Sequence, residues 1–381
     1  MPPPLKEYRA RYLDMLLDFL WREWTALGVA GHDRTTLKHV ADPEALLLLT
    51  CSIGRYDPRL FDEVMDWLLK NGRYINVQRL RTILRKEGFR GGPVMVAVAD
   101  WLCMRGNPAK WKLLVNTGAK EVHDSDRTLP AEQYPDADIR IAQGHDREYR
   151  AREEPHVATE YRSDGDIEEA PLFYLPDGRP LPVLRERDET FLRYGLLRTP
   201  LRPRGLSTSF PTNTEAARLL RLRALFGVSV RCDVLNYLGL NGTGHPQETA
   251  RELYYAQKSV HDVLADLERA GTAVSAKAAR ERTYRQTPAG LRLLGIGPAA
   301  TNWINWPVFL AAAESAWYLV DDLAVLPMST PDTAVAVRRT MAPITARFTS
   351  ARWAPPLSVA DSGDPAGLLE AFRKCFDTVA Q

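Results

Sequence analysis

Between residues 251 and 285 lies a set of side chains whose types suit contact with a nucleic acid. Gln257, Lys258, Ser259, His261 and Asp262 cluster near the start of a candidate helix, 256–270. A glutamine amide pairs with the adenine edge, a lysine with guanine or a phosphate, and an aspartate accepts from cytosine or lies off the groove. Ser259 and His261 can adapt to several bases. Lys277, Arg280, Arg282 and Arg285 surround the tip of a candidate two-stranded ribbon. Cations there suit phosphate contact or insertion into a minor groove. Arg251, on the preceding helix, is placed to touch the backbone.

The pattern around these residues predicts the elements that carry them. Val260, Val263, Leu264 and Leu267 recur at helical spacing, so one side of 256–270 is apolar and the polar set points outward. Two helices are expected upstream, 215–226 and 229–240, the second closed by the glycine-rich stretch 239–244. Pro246 opens a short helix containing Glu248, Thr249, Ala250 and Leu253, and Tyr254-Tyr255 forms a turn. Gly271 stops the longer helix. Strands are expected over 272–277 and 282–287 with 278–281 as the tip, and Thr287-Pro288 starts a last short helix ending near Gly295.

This order, with Glu248-Thr-Ala-Arg-Glu-Leu253, Tyr254-Tyr-Ala-Gln-Lys-Ser-Val260, Leu264, Leu267, Glu268, Ala270-Gly271 and Tyr284-Arg-Gln-Thr-Pro-Ala-Gly290, resembles bacterial winged helix-turn-helix regulators of the MarR, ArsR and PadR type. The resemblance is confined to residues 214–297. Tyr254 stands where that family usually has Gly, and Ala256 where it usually has a capping Ser or Thr. The resemblance implies a sequence-specific reader of double-stranded DNA, most often a homodimeric transcriptional regulator. Salt-dependent affinity would come from the cations, and sequence preference from residues 257–262.

Other chemistry is poorly represented. There is no GxxxxGK[ST], HExxH, GxSxG or EF-hand loop. Gly295-Ile-Gly297-Pro-Ala-Ala300 matches GxGxxA but follows a predicted helix and reads as an exit loop. His32-Asp33-Arg34 and His145-Asp146-Arg147 repeat a tripeptide without metal-ligand spacing. Asp124, Asp126, Asp136, Asp138, Asp164 and Asp166 fall in a stretch too polar to be preorganised for a cation. No cofactor, metal or catalytic residue is expected, and the chain reads as a non-enzyme. Cys51, Cys103, Cys232 and Cys375 are far apart and form no CxxC, which fits reduced thiols in a cytoplasmic chain.

The 381 residues leave room for two or three domains, and the fold class expected is mainly α with small β-hairpins, a winged helix flanked by helical domains. Net charge is +2 overall but is distributed unevenly. Residues 1–120 carry +6, 121–170 carry −9, 171–213 carry +3, 214–297 carry +4 and 298–381 carry −2. An N-terminal helical domain is expected over 1–120, with helices at 43–53, 58–70, 76–87 and 93–104. Those at 43 and 58 open on Asp-Pro pairs. Residues 121–213 read as an acidic linker or insertion, with a short hairpin around Asp177-Gly178 and a linker at 198–213. The negative charge of 121–170 is suited to compete with DNA for the basic head. Residues 298–381 read as a C-terminal helical region for dimerisation or packing. Trp306, Phe309 and Trp317 are its dimer or core residues, and a terminal helix follows Asp364-Pro365. The run Trp306–Val320 contains Glu314 and is too short for a membrane span. The N-terminus does not read as a signal peptide, and no membrane partner is expected. The competing reading is a protein-interaction module, such as the regulatory or antitoxin component of a defence system, with a partner held through residues 1–170.

Overall fold

The computed structural model describes residues 5–31, 36–106, 108–124, 169–183, 186–278, 281–293, 302–325 and 343–351. It is mainly helical with two small sheets. Among the described residues no helix is long and apolar enough to cross a membrane.

Four of the N-terminal helices start within one residue of their expected positions, and the first and sixth add to them. They are α1 (Leu5–Ala26), α2 (Pro43–Ser52), α3 (Pro58–Asn71), α4 (Val77–Glu87), α5 (Gly92–Arg105) and α6 (Pro108–Asp124). Asp42 caps α2 by accepting from the Ala45 amide, and Asp57 caps α3 by accepting from Arg59 and Leu60. In each case proline at the first helical position removes a donor that would otherwise lack a partner.

The prolines also decide what happens between 170 and 197. The expected hairpin shrinks to a single antiparallel bridge, Tyr174 to Pro180, closed by Gly178 N donating to Leu175 O. Pro176, Pro180 and Pro182 lack the N–H groups that a longer ladder needs. The regular pairing is instead parallel, between β1 (Ala170–Pro171) and β2 (Leu196–Leu197), with the one-turn helix α7 (Glu189–Leu192) between them. Residues 198–213, expected as a linker, form an irregular strap on the helical block. Ser207 and Gly205 donate backbone N–H groups to Asp66, and Thr208 donates to Gly28 O. Arg198 is buried beside Phe61, Phe173 and Phe191 and pairs with Asp62 at 2.9 Å. Its compact seat is an aromatic cage, which composition alone could not reveal.

Beyond the strap come α8 (Arg218–Phe226), α9 (Val230–Asn241), α10 (Pro246–Leu253) and α11 (Gln257–Arg269). The antiparallel strands β3 (Ala273–Ala278) and β4 (Glu281–Gln286), then α12 (Pro288–Leu293), complete this unit. Helix α8 starts three residues later than expected. The long α13 (Trp306–Val325) follows, then a helical stretch over 343–350. The Asp364-Pro365 helix, the Asp-rich set beyond Asp124, both His-Asp-Arg tripeptides, Gly295–Ala300, Cys375 and most of 121–170 lie outside the described residues.

The described residues form two apolar cores. The larger joins α1 to α6 with α13, and includes Leu172 after β1, Phe191 of α7 and Phe210 of the strap. The smaller is built on α8 to α11, Ala273, Tyr284 and Trp303. Trp306, Phe309 and Trp317 are 5%, 0% and 0% exposed and all belong to the larger core. They are core residues, so the alternative of a dimer surface at these three side chains is excluded. Helix α8 serves both cores: Ala216, Ala217 and Leu220 at its start and on one side face the larger, Leu219 and Leu222 the smaller.

Candidate nucleic-acid interface

The smaller core fixes which way α11 faces. Val260, Val263, Leu264 and Leu267 are buried against α9, α10 and β3. Burial of each contributes about 1.5–3 kcal/mol, so rolling the helix by one residue would cost several such terms. The opposite side is left to solvent: Gln257, Lys258, Ser259, His261 and Asp262 are all exposed. The structure therefore brings together the five side chains expected on this face. His261 Nδ1 and Asp262 Oδ1 lie 3.6 Å apart.

The ribbon is held beside this helix. Gly244 pairs with Tyr284 through two backbone hydrogen bonds of 2.8 and 2.9 Å, adding a one-residue third strand. A Cβ at Gly244 would meet Leu238 and Thr249 at 2.8 Å, so glycine permits this approach. Arg282 Nε donates to Ser275 Oγ at 2.9 Å and its Nη2 is 3.4 Å from Glu268 on α11, which ties the ribbon to the helix. Lys277 and Arg285 are exposed, with no carboxylate partner among the described residues. Arg280 lies outside the described residues. Arg251 is exposed on α10, with Glu252 at 3.6 Å. Arg231 of α9, which sequence reasoning passed over, pairs with Asp266 at 3.1 Å on the other flank of α11. The exposed surface is thus a helix face bordered by cations on both sides.

The connection between α10 and α11 was the least predictable part. Tyr254 has φ +65°, the only positive value at a non-glycine among the described residues. A bulky side chain in this conformation costs roughly 1–2 kcal/mol. The cost is offset because Tyr254 is 4% exposed within the larger core and its hydroxyl donates to Glu87 Oε1 at 2.6 Å. Burial, reinforced by Glu87, pushes its phenol well above the usual range. Tyr255 donates to Asp233 Oδ2 at 3.1 Å and accepts from Asn76 Nδ2 at 2.7 Å. Burial, with the Asp233 carboxylate second, raises this phenol as well.

Beneath the tyrosines is a buried ionic network. Arg79 donates through Nη1 to Asp42 at 2.9 Å and Glu44 at 2.8 Å, and through Nε to Leu253 O at 3.3 Å. Arg223 donates to Glu44 at 2.6 Å, to Asp233 at 3.0 Å and to Tyr74 O at 2.9 Å. Burial pushes the Asp42 carboxyl up, but the Arg79 guanidinium outweighs it and holds the group below its usual value. The same partners raise Arg79 and Arg223 against the burial that opposes them. A cavity of ≈ 20 Å³ beside this network is lined in part by His39, Asn236 and Asn302. That is room for a single water and leaves no space for an organic effector. Glu252 on α10 accepts from Trp303 Nε1 at 3.2 Å and Asn305 Nδ2 at 3.0 Å, a further anchor.

Comparison of the chain with protein-family models, with curated proteins and with solved structures finds no match.

Proposed function

We propose that residues 214–297 form a winged helix that binds double-stranded DNA sequence-specifically, and that the chain acts as a transcriptional regulator without catalytic chemistry. The observation that carries this reading is the exposed polar face of α11 beside a basic ribbon, with Val260, Val263, Leu264 and Leu267 turned inward. A helix of this size fits a major groove, and residues near its N-terminus reach base edges. Lys258, Lys277 and Arg285 are the cations best suited to phosphates, because no described carboxylate competes for them. Arg282 must first release Glu268.

The test is a mobility shift of the promoter region upstream of the chain's own gene at several salt concentrations. Binding is expected at ~50 mM salt and should weaken steeply toward ~200 mM. Lys277→Ala with Arg285→Ala should flatten the plot of log affinity against log salt by about 0.9 per phosphate no longer neutralised. Absence of binding at low salt, or an unaltered slope in the variant, would overturn the reading.

A second reading, recognition of a protein partner or a second copy of the chain, is favoured by one observation. Leu225 and Phe226, at the end of α8, are 69% and 43% exposed. Light scattering of the pure chain, with a Leu225→Ser, Phe226→Ser variant beside it, separates this reading: a dimer mass that disappears in the variant supports it, and a monomer in both opposes a homodimer through this site.

A further inference from the structure

We infer that helix α4, outside the resemblance to winged helices, forms a second DNA-contacting element in which Arg85 and Lys86 hold the phosphate backbone beside the recognition helix. The inference rests on the DNA-binding reading above. What carries it is the capture of the α10–α11 turn along the whole of α4. Asn76, the N-cap of α4, donates to Tyr255. Arg79 donates to Leu253 O, and Glu87 in the last turn accepts from Tyr254. Contacts in the first turn and at the last residue of one helix fix its direction relative to the turn.

Tyr254 is three residues from Gln257, and Lys86 Nζ lies 5.8 Å from the centre of the Tyr254 ring. Lys86 therefore lies against the turn that leads into α11. Arg85 and Lys86 are both exposed, and neither has a carboxylate partner among the described residues. The 13 residues of α11 span about 20 Å, well short of the ~34 Å turn of a duplex. A duplex seated on α11 extends past the end of that helix and meets the neighbouring surface, which here is α4. The ribbon borders the α11 face on one side, through Glu268 and Arg282, and α4 borders its N-terminal end. A contact of this kind is to phosphate, so it adds affinity without adding sequence information.

The test uses the full chain and the same labelled promoter duplex, with a random duplex of equal length as a second probe. Arg85→Gln with Lys86→Gln keeps the helix length and long side chains but removes both charges. Thermal melting confirms that it folds. The expected result is a salt slope shallower by about 0.9 for each phosphate no longer neutralised, up to about 1.8 for the pair, with the ratio of affinities for the two duplexes unchanged. A variant that keeps the wild-type slope, while Lys277→Ala with Arg285→Ala loses affinity, overturns the role of α4 and leaves the winged-helix reading standing. Failure of the wild-type chain to bind either duplex at ~50 mM salt overturns both, which is a distinct outcome.

Discussion

Glu314 shows what one ionisable side chain costs in the wrong medium. It lies on α13, 2% exposed, with Oε2 accepting from the Arg90 amide at 3.0 Å. Burial pushes its carboxyl up to about 7, against hydrogen bonds from Ser52 and Arg90 that pull it down. The folded chain therefore holds this proton at pH values where the unfolded chain has released it. Stability from this group is complete below the ordinary carboxylate value of about 4.5 and is lost as pH rises through about 7. Glu314→Gln removes the titration while keeping a neutral acceptor for Arg90. Its denaturation midpoint should match the wild type near the acid end of that window and exceed it at pH 8. The gap corresponds to about 3 kcal/mol at ~1.4 kcal/mol per pH unit. Parallel pH profiles for the two chains would contradict the assignment. The same burial, with Glu314 as the second cause, raises the Cys51 thiol, so this cysteine should resist alkylation in the native state.

At the scale of elements, the decisive fact is that α2, α4, α8 and α9 are joined through charges. Arg223 on α8 holds Glu44 of α2 and Asp233 of α9, and Arg79 on α4 holds Asp42 and Glu44. Removing one member of a buried pair leaves its partner desolvated, which typically costs about 3–5 kcal/mol. Arg223→Met should lower stability by that amount in urea denaturation, and a drop below ~1 kcal/mol would mean that water already relieves these carboxylates. The sequence announced the helices but not this network. Asp42-Pro43 and Asp57-Pro58 were readable because capping is local, and Val260, Val263, Leu264 and Leu267 because helical spacing is local. Glu44, Arg79, Arg223 and Asp233 are separated by up to 189 positions in the chain and carry no mutual spacing. The exposed face of α11 was likewise legible from its apolar complement. The docking of Tyr254 and Tyr255 was not. Only Tyr254, standing where glycine is usual, marked the turn as different, and the strap at 198–213 had the composition of a linker while supplying Ser207 and Arg198 to buried contacts.

For the whole molecule, these junctions imply that the α8–α11 unit and the helical block unfold together. Tyr254 is the clearest link, since it belongs by chain position to the smaller unit and by packing to the larger core. Trp24, Trp67, Trp101, Trp306 and Trp317 report on the larger core and Trp303 on the smaller, whereas far-ultraviolet dichroism reports on helices of both. In a single cooperative unit, fluorescence and dichroism follow one denaturation curve. Tyr254→Gly should separate them. Glycine accepts the left-handed conformation without strain, so the turn itself is spared and the penalty falls on the docking of the ring, at roughly 3–5 kcal/mol for a buried aromatic truncated to almost nothing. Dichroism should then show an early phase from α8–α11, followed by the fluorescence transition of the block. Separate curves already in the wild-type chain would show that the two units are independent, and would deprive α4 of the fixed position at the α10–α11 turn on which its proposed contact with DNA depends.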